Sequence, residues 1–360
     1  MTKILIFTGA GLSVPLGLPA TNGFDNTISK IPSVLWPHIE KYLKKDGNPK
    51  DIERVLYLLE NFVKEDDFTR FLLREGKANS HYKIVYDNLE AQKANANHAI
   101  FQIKADIFEL LAKFDANRAF QLYSGILNEI RSEHPNSAFS IFTTNYDLTF
   151  ENAVSDNEDE LLKLGFDNVY YSFQAGRFGR QAYNGTEDFA WNPKIIEYKK
   201  LHGSLDWVED NGRIFKTGVT NRPKDPGEMP VLYPGYKGIP SSPPYSDMHE
   251  WLLERLDQAD IVFVLGFAFR DQYINNIFDF VLKKKKEIGI FCYNPATAAE
   301  LPADSYIPSF TRKYSDKFFH IKSPVEVSDS PLKLSDTMTN LGAVKILEEF
   351  QRKRNMMNML

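Results

Sequence analysis

Four short clusters in this chain hold the residues able to do chemistry: Gly9-Ala10-Gly11 with Ser13, Asn145 with Asp147, His202 before Gly203, and Gly266 with Phe267. A turn poor in side chains lets backbone N–H groups approach a phosphate, and a helix starting there adds its positive end. Gly9 and Gly11 form G-x-G, with Ser13 placed to donate to the same ligand. Val14 stands where a dinucleotide fingerprint has its third glycine, so an ordinary tight turn between strand and helix fits this stretch equally well. Asp147 reads first as the cap of the helix after it, which leaves Asn145 without so plain a structural explanation. His202 has the side chain whose ordinary pKa suits proton transfer near neutrality, although a lone histidine is usually structural and bonded to a backbone carbonyl.

Each cluster ends a run with strand character. Lys3 to Thr8, Ser140 to Thr143 and Asp260 to Leu265 are short apolar and β-branched runs of the kind buried in parallel sheets, and Ile195 to Leu201 alternates. Ile288 to Tyr293 is a further such run, ending in Asn294-Pro295. A parallel sheet gathers its strand ends along one edge, so residues distant in sequence can line one crevice. Between the first two runs the period changes: Ile52, Val55, Leu56 and Leu59, then Ile100, Ile103 and Ile107, then Phe120, Ile126, Leu127 and Ile130 follow helical spacing. The expected fold is α/β, a Rossmann-like doubly wound and mainly parallel sheet over 1–31 and 136–322. A large all-helical insertion occupies 32–135, and 323–360 reads as a linker with a C-terminal helix and Met-rich tail. Finer expectations are a covering loop over 20–30, a strand over 169–173, an irregular segment over 176–191, and Pro/Gly-rich loops over 211–245 with a hairpin around 213–216.

Composition narrows the class. With 43% hydrophobic and 25% charged residues, the 360-residue chain is neither disordered nor fibrous. A net charge of −5 provides no general attraction to nucleic acid or anionic lipid, and Lys283 to Lys286 reads as compensation of a helix macrodipole. The single cysteine, Cys292, excludes an internal disulfide and any multi-cysteine zinc site, and suits a reducing cytosol. The apolar run from Ile261 to Phe269 is too short to span a bilayer, and no charged leader opens the sequence. The expectation is a cytoplasmic protein that binds neither membrane nor nucleic acid.

Taken together, Gly9-Ala10-Gly11-x-Ser13, Thr143-x-Asn145-x-Asp147, His202-Gly203 and the later strand end at Gly266 resemble the sirtuin family. The resemblance covers the α/β part and neither the helical insertion nor the tail. It implies that NAD is the substrate, with Gly9, Ala10, Gly11 and Ser13 on its pyrophosphate side. It also implies that Asn145 positions the nicotinamide ribose and a water, that Asp147 holds the nicotinamide end, and that His202 is the general base. Gly266 and Phe267 would approach the adenosine, as would Asn294 by its position. Family deacetylases carry a four-cysteine zinc module after the H-G pair, which one cysteine cannot build, so no zinc is expected. Pro19 is followed by Ala20-Thr21-Asn22-Gly23-Phe24 where those enzymes have an aspartate-phenylalanine-arginine type segment. Leu265-Gly266-Phe267-Ala268-Phe269 with Asp271 is closer to sirtuin-like proteins of bacterial antiphage systems, which hydrolyse NAD. That resemblance implies an NAD hydrolase acting as a homo-oligomer, with a DNA-translocating ATPase as a partner of the kind such systems employ. A protein deacylase and a non-enzymatic scaffold binding NAD or ADP-ribose remain the alternatives.

Overall fold

The structure, a computed structural model, describes residues 1–19, 31, 33, 35–45, 52–64, 89–155, 161–166, 180–183, 190–217, 242–296, 300–302 and 304–322. In chain order the elements are β1 (Thr2–Thr8), α1 (Trp36–Lys45), α2 (Ile52–Val63), α3 (Leu89–Leu111), α4 (Ala116–Glu133), β2 (Ser137–Thr143), α5 (Thr149–Ser155) and β3 (Leu161–Lys163). They continue with β4 (Arg180–Ala182), β5 (Ile195–Lys200), β6 (Trp207–Asp210), β7 (Arg213–Thr217), α6 (Tyr245–Gln258), β8 (Ile261–Leu265), α7 (Gln272–Lys284), β9 (Gly289–Tyr293), α8 (Ile307–Lys313) and β10 (Phe318–Ile321). The expected loop over 20–30, the strand over 169–173, most of the segments 176–191 and 211–245, and the region 323–360 lie outside the described residues.

Seven strands form one sheet in the order β10-β9-β8-β1-β2-β5-β3, and every described pair in it is parallel. Period-two alternation sends successive side chains to opposite faces. Ile6, Ile141 and Tyr198 stand in one register row and line a small apolar cavity with Tyr123 and Ile126 of α4 and Phe150 of α5. Phe7, next along β1, faces the other way and meets Phe278 of α7 edge to face, ring centroids 5.5 Å apart. Helices on both faces of a parallel sheet make this a doubly wound, Rossmann-like α/β fold, as the strand runs implied. A second, three-stranded antiparallel sheet has the order β4-β7-β6. Its β6–β7 hairpin turns at Asn211-Gly212, both at positive φ (50° and 73°), which is what a two-residue turn matching the strands' twist requires.

The described residues fall into two compact units, one built from Met1–Leu18 and the described residues from Ala112 onward, the other from those between Pro19 and Leu111. The second unit is helical: Val55, Leu56 and Leu59 of α2 and Ile103 and Ile107 of α3 are buried, and Lys104 pairs with Glu60 at 3.1 Å. Helix α4, grouped on periodicity with the insertion, belongs to the first unit. Its apolar stripe Leu122, Ile126, Leu127 and Ile130 is buried in the cluster that contains the sheet.

Candidate functional site

The chain leaves β1 toward β2 and reaches the other flank of β1 only with β8, so the C-terminal ends of β1 and β8 border the topological switch point where open α/β sheets take their ligands. Two glycine turns meet there. The Gly9 N–H donates to the Leu265 carbonyl (3.0 Å) and the Gly11 N–H to the Gly266 carbonyl (2.9 Å). A Cβ on Gly9 or Gly11 would lie 2.8 Å from the Gly266 oxygen, and one on Gly266, at φ +65°, would lie 2.2 Å from the Leu12 nitrogen. The glycine pattern therefore serves first a backbone-to-backbone contact between the turns. The helix expected after Gly11 is instead two 3₁₀ turns, Ala10–Leu12 and Val14–Leu16, the second carrying Pro15 and closed by Gly17 at φ +86°. No α-helix dipole points at the turn from this segment, which corrects that expectation.

Around this contact the sequence candidates come together. Ser13 is buried, its hydroxyl donating to Asp147 Oδ2 (2.9 Å). The Asn145 side-chain amide donates to Ser13 Oγ (3.0 Å) and to the Gly9 carbonyl (3.2 Å), and its backbone N–H donates to Thr143 Oγ1 (3.0 Å). Asp147 also keeps its capping role: Oδ1 accepts from the Thr149 N–H (3.1 Å) and hydroxyl (2.5 Å) at the first turn of α5. Asn145 Oδ1 is buried and, among the described residues, has no hydrogen-bond partner. An orphaned buried acceptor is costly, and in a crevice it marks a place where a ligand group or water is to bind.

The segment is clamped from below. Lys200, buried at the end of β5, donates to the carbonyls of Tyr146 (3.3 Å) and Asp147 and pairs with Glu151 Oε1 (3.0 Å). Burial raises the Glu151 carboxyl, against the pull of the Lys200 and Lys216 charges. Lys216 is paired in turn with Asp206, whose Oδ1 accepts from Ser204 (2.6 Å). Charged side chains are seldom this buried unless paired, so this ionic group holds the 145–148 and 202–206 turns together. The Leu205 N–H donating to the Tyr146 carbonyl (3.0 Å) makes the same connection through backbone.

His202 leaves β5 just before Gly203, whose φ of 106° needs glycine. Its ring lies 6.5 Å from that of Tyr146 and 6.4 Å from that of His249, centroid to centroid. Nε2 is 3.1 Å from Asp271 Oδ2. Asp271 also caps α7, Oδ1 accepting from the N–H groups of Tyr273 (2.8 Å) and Ile274 (3.0 Å). An ionised carboxylate only accepts, so Nε2 carries the proton and the Nδ1 lone pair of the neutral ring is the basic site. Burial raises the Asp271 carboxyl, but the hydrogen bond and charge of His202 and the Ile274 N–H outweigh it and hold the group below its ordinary value. Burial lowers His249 to about 4, so it is neutral near pH 7, its Nδ1–H donating to the Tyr245 carbonyl (2.8 Å). The loop delivering Asp271 holds Phe269 at φ 52°, a conformation bulky residues avoid, with its carbonyl fixed by Asn275 Nδ2 and the Tyr306 N–H, both at 3.0 Å.

A stability prediction follows from this pair. Because the folded pKa of Asp271 is depressed, its contribution is present above the unfolded value and lost as pH falls through the folded one. Asp271→Asn is expected to melt below wild type at pH 7, with the difference closing as pH drops below 3.8. A difference that does not shrink at all as pH falls through the acid range would show that Asp271 does not titrate with folding.

Two candidates sit further out. The Phe267 ring packs on Phe7 (4.8 Å) and Phe269 (5.0 Å) in the core. Asn294 follows β9, its Oδ1 accepting from the Ala296 N–H (3.0 Å) and its carbonyl bonded to His320 Nε2 (3.0 Å). It reaches the switch point through Tyr293, whose carbonyl accepts from the Gly266 N–H (3.2 Å). Cys292 is buried in β9, where burial pushes its thiol far up. Among the described residues no group of three or more His, Cys, Asp or Glu side chains is placed to hold a metal ion, and no helix is long and apolar enough to cross a membrane. Sequence reasoning missed Asp271 as the partner of His202, and missed His249, Lys200 and Tyr123 altogether. The signals available were an aspartate at a helix start on a strand end and two adjacent lysines inside an alternating run.

Residues 140–314 match the SIR2-like domain family. This part of the chain is similar to SIR2-like domains. It carries Asn145, Asp147, His202, Gly266, Asp271 and Asn294, while Gly9 to Ser13 precede the matched stretch. Similar solved structures include a Sir2 homologue mutant bound to ADP-ribose (TM-score 0.46, 13% identity, 98% of this chain and 93% of that one). A Sir2 homologue–NAD complex scores 0.43 at 15% identity, over 98% of this chain and 90% of that one. A further Sir2 homologue mutant, with 2'-O-acetyl ADP-ribose, scores 0.44 at 14% identity, over 95% and 92%. At these scores the likeness is loose, and the resemblance to SIR2-like domains rests on the family match over 140–314. No curated protein sequence matches the chain.

Proposed function

We propose that the chain is an NAD glycohydrolase, cleaving the bond between nicotinamide and ribose to release nicotinamide and ADP-ribose. The observation that carries this reading is the buried amide oxygen of Asn145, unpartnered among the described residues, with His202 close by, its ring 6.5 Å from that of Tyr146 and its Nε2 held by Asp271. Support comes from the SIR2-like domain and from relatives of that fold being described as complexes with NAD and ADP-ribose. Departure of nicotinamide breaks the C1'–N bond and leaves an oxocarbenium-like ribose, as in glycoside cleavage. Water adds at C1', and its proton passes to His202 and on to solvent. Asn145 orients the ribose hydroxyl or the water through Oδ1, and no step needs a metal. Water as nucleophile is favoured over an acyl-lysine peptide because one cysteine cannot build the zinc module that borders the peptide groove in the family's deacetylases.

Such an activity needs an off state in a cell, so the same proposal includes a cytoplasmic homo-oligomer gated by assembly, serving antiphage defence with a DNA-translocating ATPase as partner. The test is to incubate the full chain with NAD and resolve the products, with and without acetyl-lysine peptide. Nicotinamide and ADP-ribose in equal amounts, unaffected by peptide, are expected. O-acetyl-ADP-ribose with stoichiometric deacetylation would make the chain a deacylase, and tight NAD binding without turnover in every assembly state would make it a sensor.

A further inference from the structure

We propose that Asp147 and Thr149, backed by Tyr123, act as positioning residues that turn the Asn145 amide so that its oxygen, and not its nitrogen, is the end left to accept from a ligand. The chain of contacts runs from Tyr123 OH to Thr149 Oγ1 (2.9 Å), from Thr149 Oγ1 to Asp147 Oδ1 (2.5 Å), from Ser13 Oγ to Asp147 Oδ2 (2.9 Å), and from Asn145 Nδ2 to Ser13 Oγ (3.0 Å). All five side chains are buried, so solvent does not substitute for any link.

The direction of every link follows from one chemical fact. A carboxylate has no proton to give, so both the Thr149 and the Ser13 hydroxyls must point their hydrogens at Asp147. Ser13 then has only lone pairs left for Asn145, and the Gly9 carbonyl, the amide's other neighbour at 3.2 Å, has no hydrogen either. Two acceptors can be met only by the NH₂ end of the amide, which turns Oδ1 away from both, where it has no partner among the described residues. At the far end Thr149 can only accept, so Tyr123 must donate. Burial and the Asp147 charge raise the Tyr123 phenol, which keeps it protonated for that task. Ser13, seen from sequence as a donor to a ligand, spends its hydrogen on Asp147.

The orientation stands on geometry alone; that the outward oxygen accepts from a ribose hydroxyl or a water rests on the NAD hydrolase reading. Asp147→Asn separates the roles, since an asparagine Oδ1 still accepts from Thr149 while its NH₂ now confronts Ser13. The serine hydroxyl reverses and competes with the Asn145 amide. In the ligand-free full chain, the Asn145 side-chain NH₂ resonances, identified by their loss in Asn145→Ala, are expected to exchange slowly with water. Asp147→Asn and Ser13→Ala should each shift them and speed exchange by about tenfold or more, the scale of one lost buried hydrogen bond. Unmoved resonances in folded Asp147→Asn would overturn the proposal, and should that variant not fold, unmoved resonances in Ser13→Ala would do so. With NAD, each variant should lose about tenfold to a hundredfold in kcat, and the Ser13→Ala/Asp147→Asn double variant no more than the worse single. Fully multiplicative losses would mean independent roles and would also overturn it. Moved resonances without NAD turnover in wild type would uphold the orientation and refute the hydrolase reading.

Discussion

Gly266→Ala is expected to lose about 3–5 kcal/mol of folding stability, the range in which a substitution reports strain or a clash against rigid backbone. Two costs combine. At φ +65° any side chain pays the left-handed penalty of about 1–2 kcal/mol, and the new Cβ would sit 2.2 Å from the Leu12 nitrogen and 2.6 Å from the Gly11 carbonyl carbon. Backbone atoms cannot rotate away as a flexible side chain can, so the β1 and β8 turns must separate and the Gly11-to-Gly266 hydrogen bond must break. Gly17→Ala is the internal control: it shares the positive φ, at +86°, but a Cβ there would meet nothing within 4 Å among the described residues, so it should cost only the conformational part. Urea titration of both variants measures the difference. Equal midpoints for Gly266→Ala and Gly17→Ala would mean that the turns are not locked together.

This contact also explains what was legible in the sequence and what was not. Gly9, Gly11 and Gly266 announce close backbone approach, yet a sequence cannot say what approaches; the partner of the first turn is the second, 255 positions on from Gly11 at Gly266. Asn145 and His202 were legible because buried runs stop at them, and strand ends in a parallel sheet converge. Asp271 caps α7. Its second role depends on a pairing across 69 residues that only the strand order creates. Tyr123 lies on a helical stripe whose period says core, and nothing in that period reveals where its hydroxyl goes. Strands β3 and β10 and helix α8 are too short, at 3, 4 and 7 residues, to carry a period. The lysines at 199 and 200 run against the rule that cations stay at the surface, and the ionic pairing that permits Lys200 to be buried is a property of the folded chain.

His202→Ala and Asn145→Ala are each expected to lower NAD turnover by about 10²–10⁴-fold, the range for removing a group that moves a proton or holds developing charge. The two losses should differ in kind. Without His202 the attacking water has no base, so kcat falls. Without Asn145 the base remains, while ribose and water lose the acceptor that aligns them, so kcat and kcat/KM fall together. Asp271→Asn should resemble His202→Ala in kcat, although the histidine is still present. Asparagine continues to cap α7 through its oxygen but turns an NH₂ toward Nε2, which drives the imidazole proton to Nδ1 and occupies the basic site. Steady-state kinetics from pH 5 to 9, with circular dichroism to confirm folding, separates these cases. Near-wild-type rates in folded His202→Ala would take the histidine out of the mechanism. Full activity in Asp271→Asn would show that the Nδ1 lone pair is not the base, even if His202 proved essential.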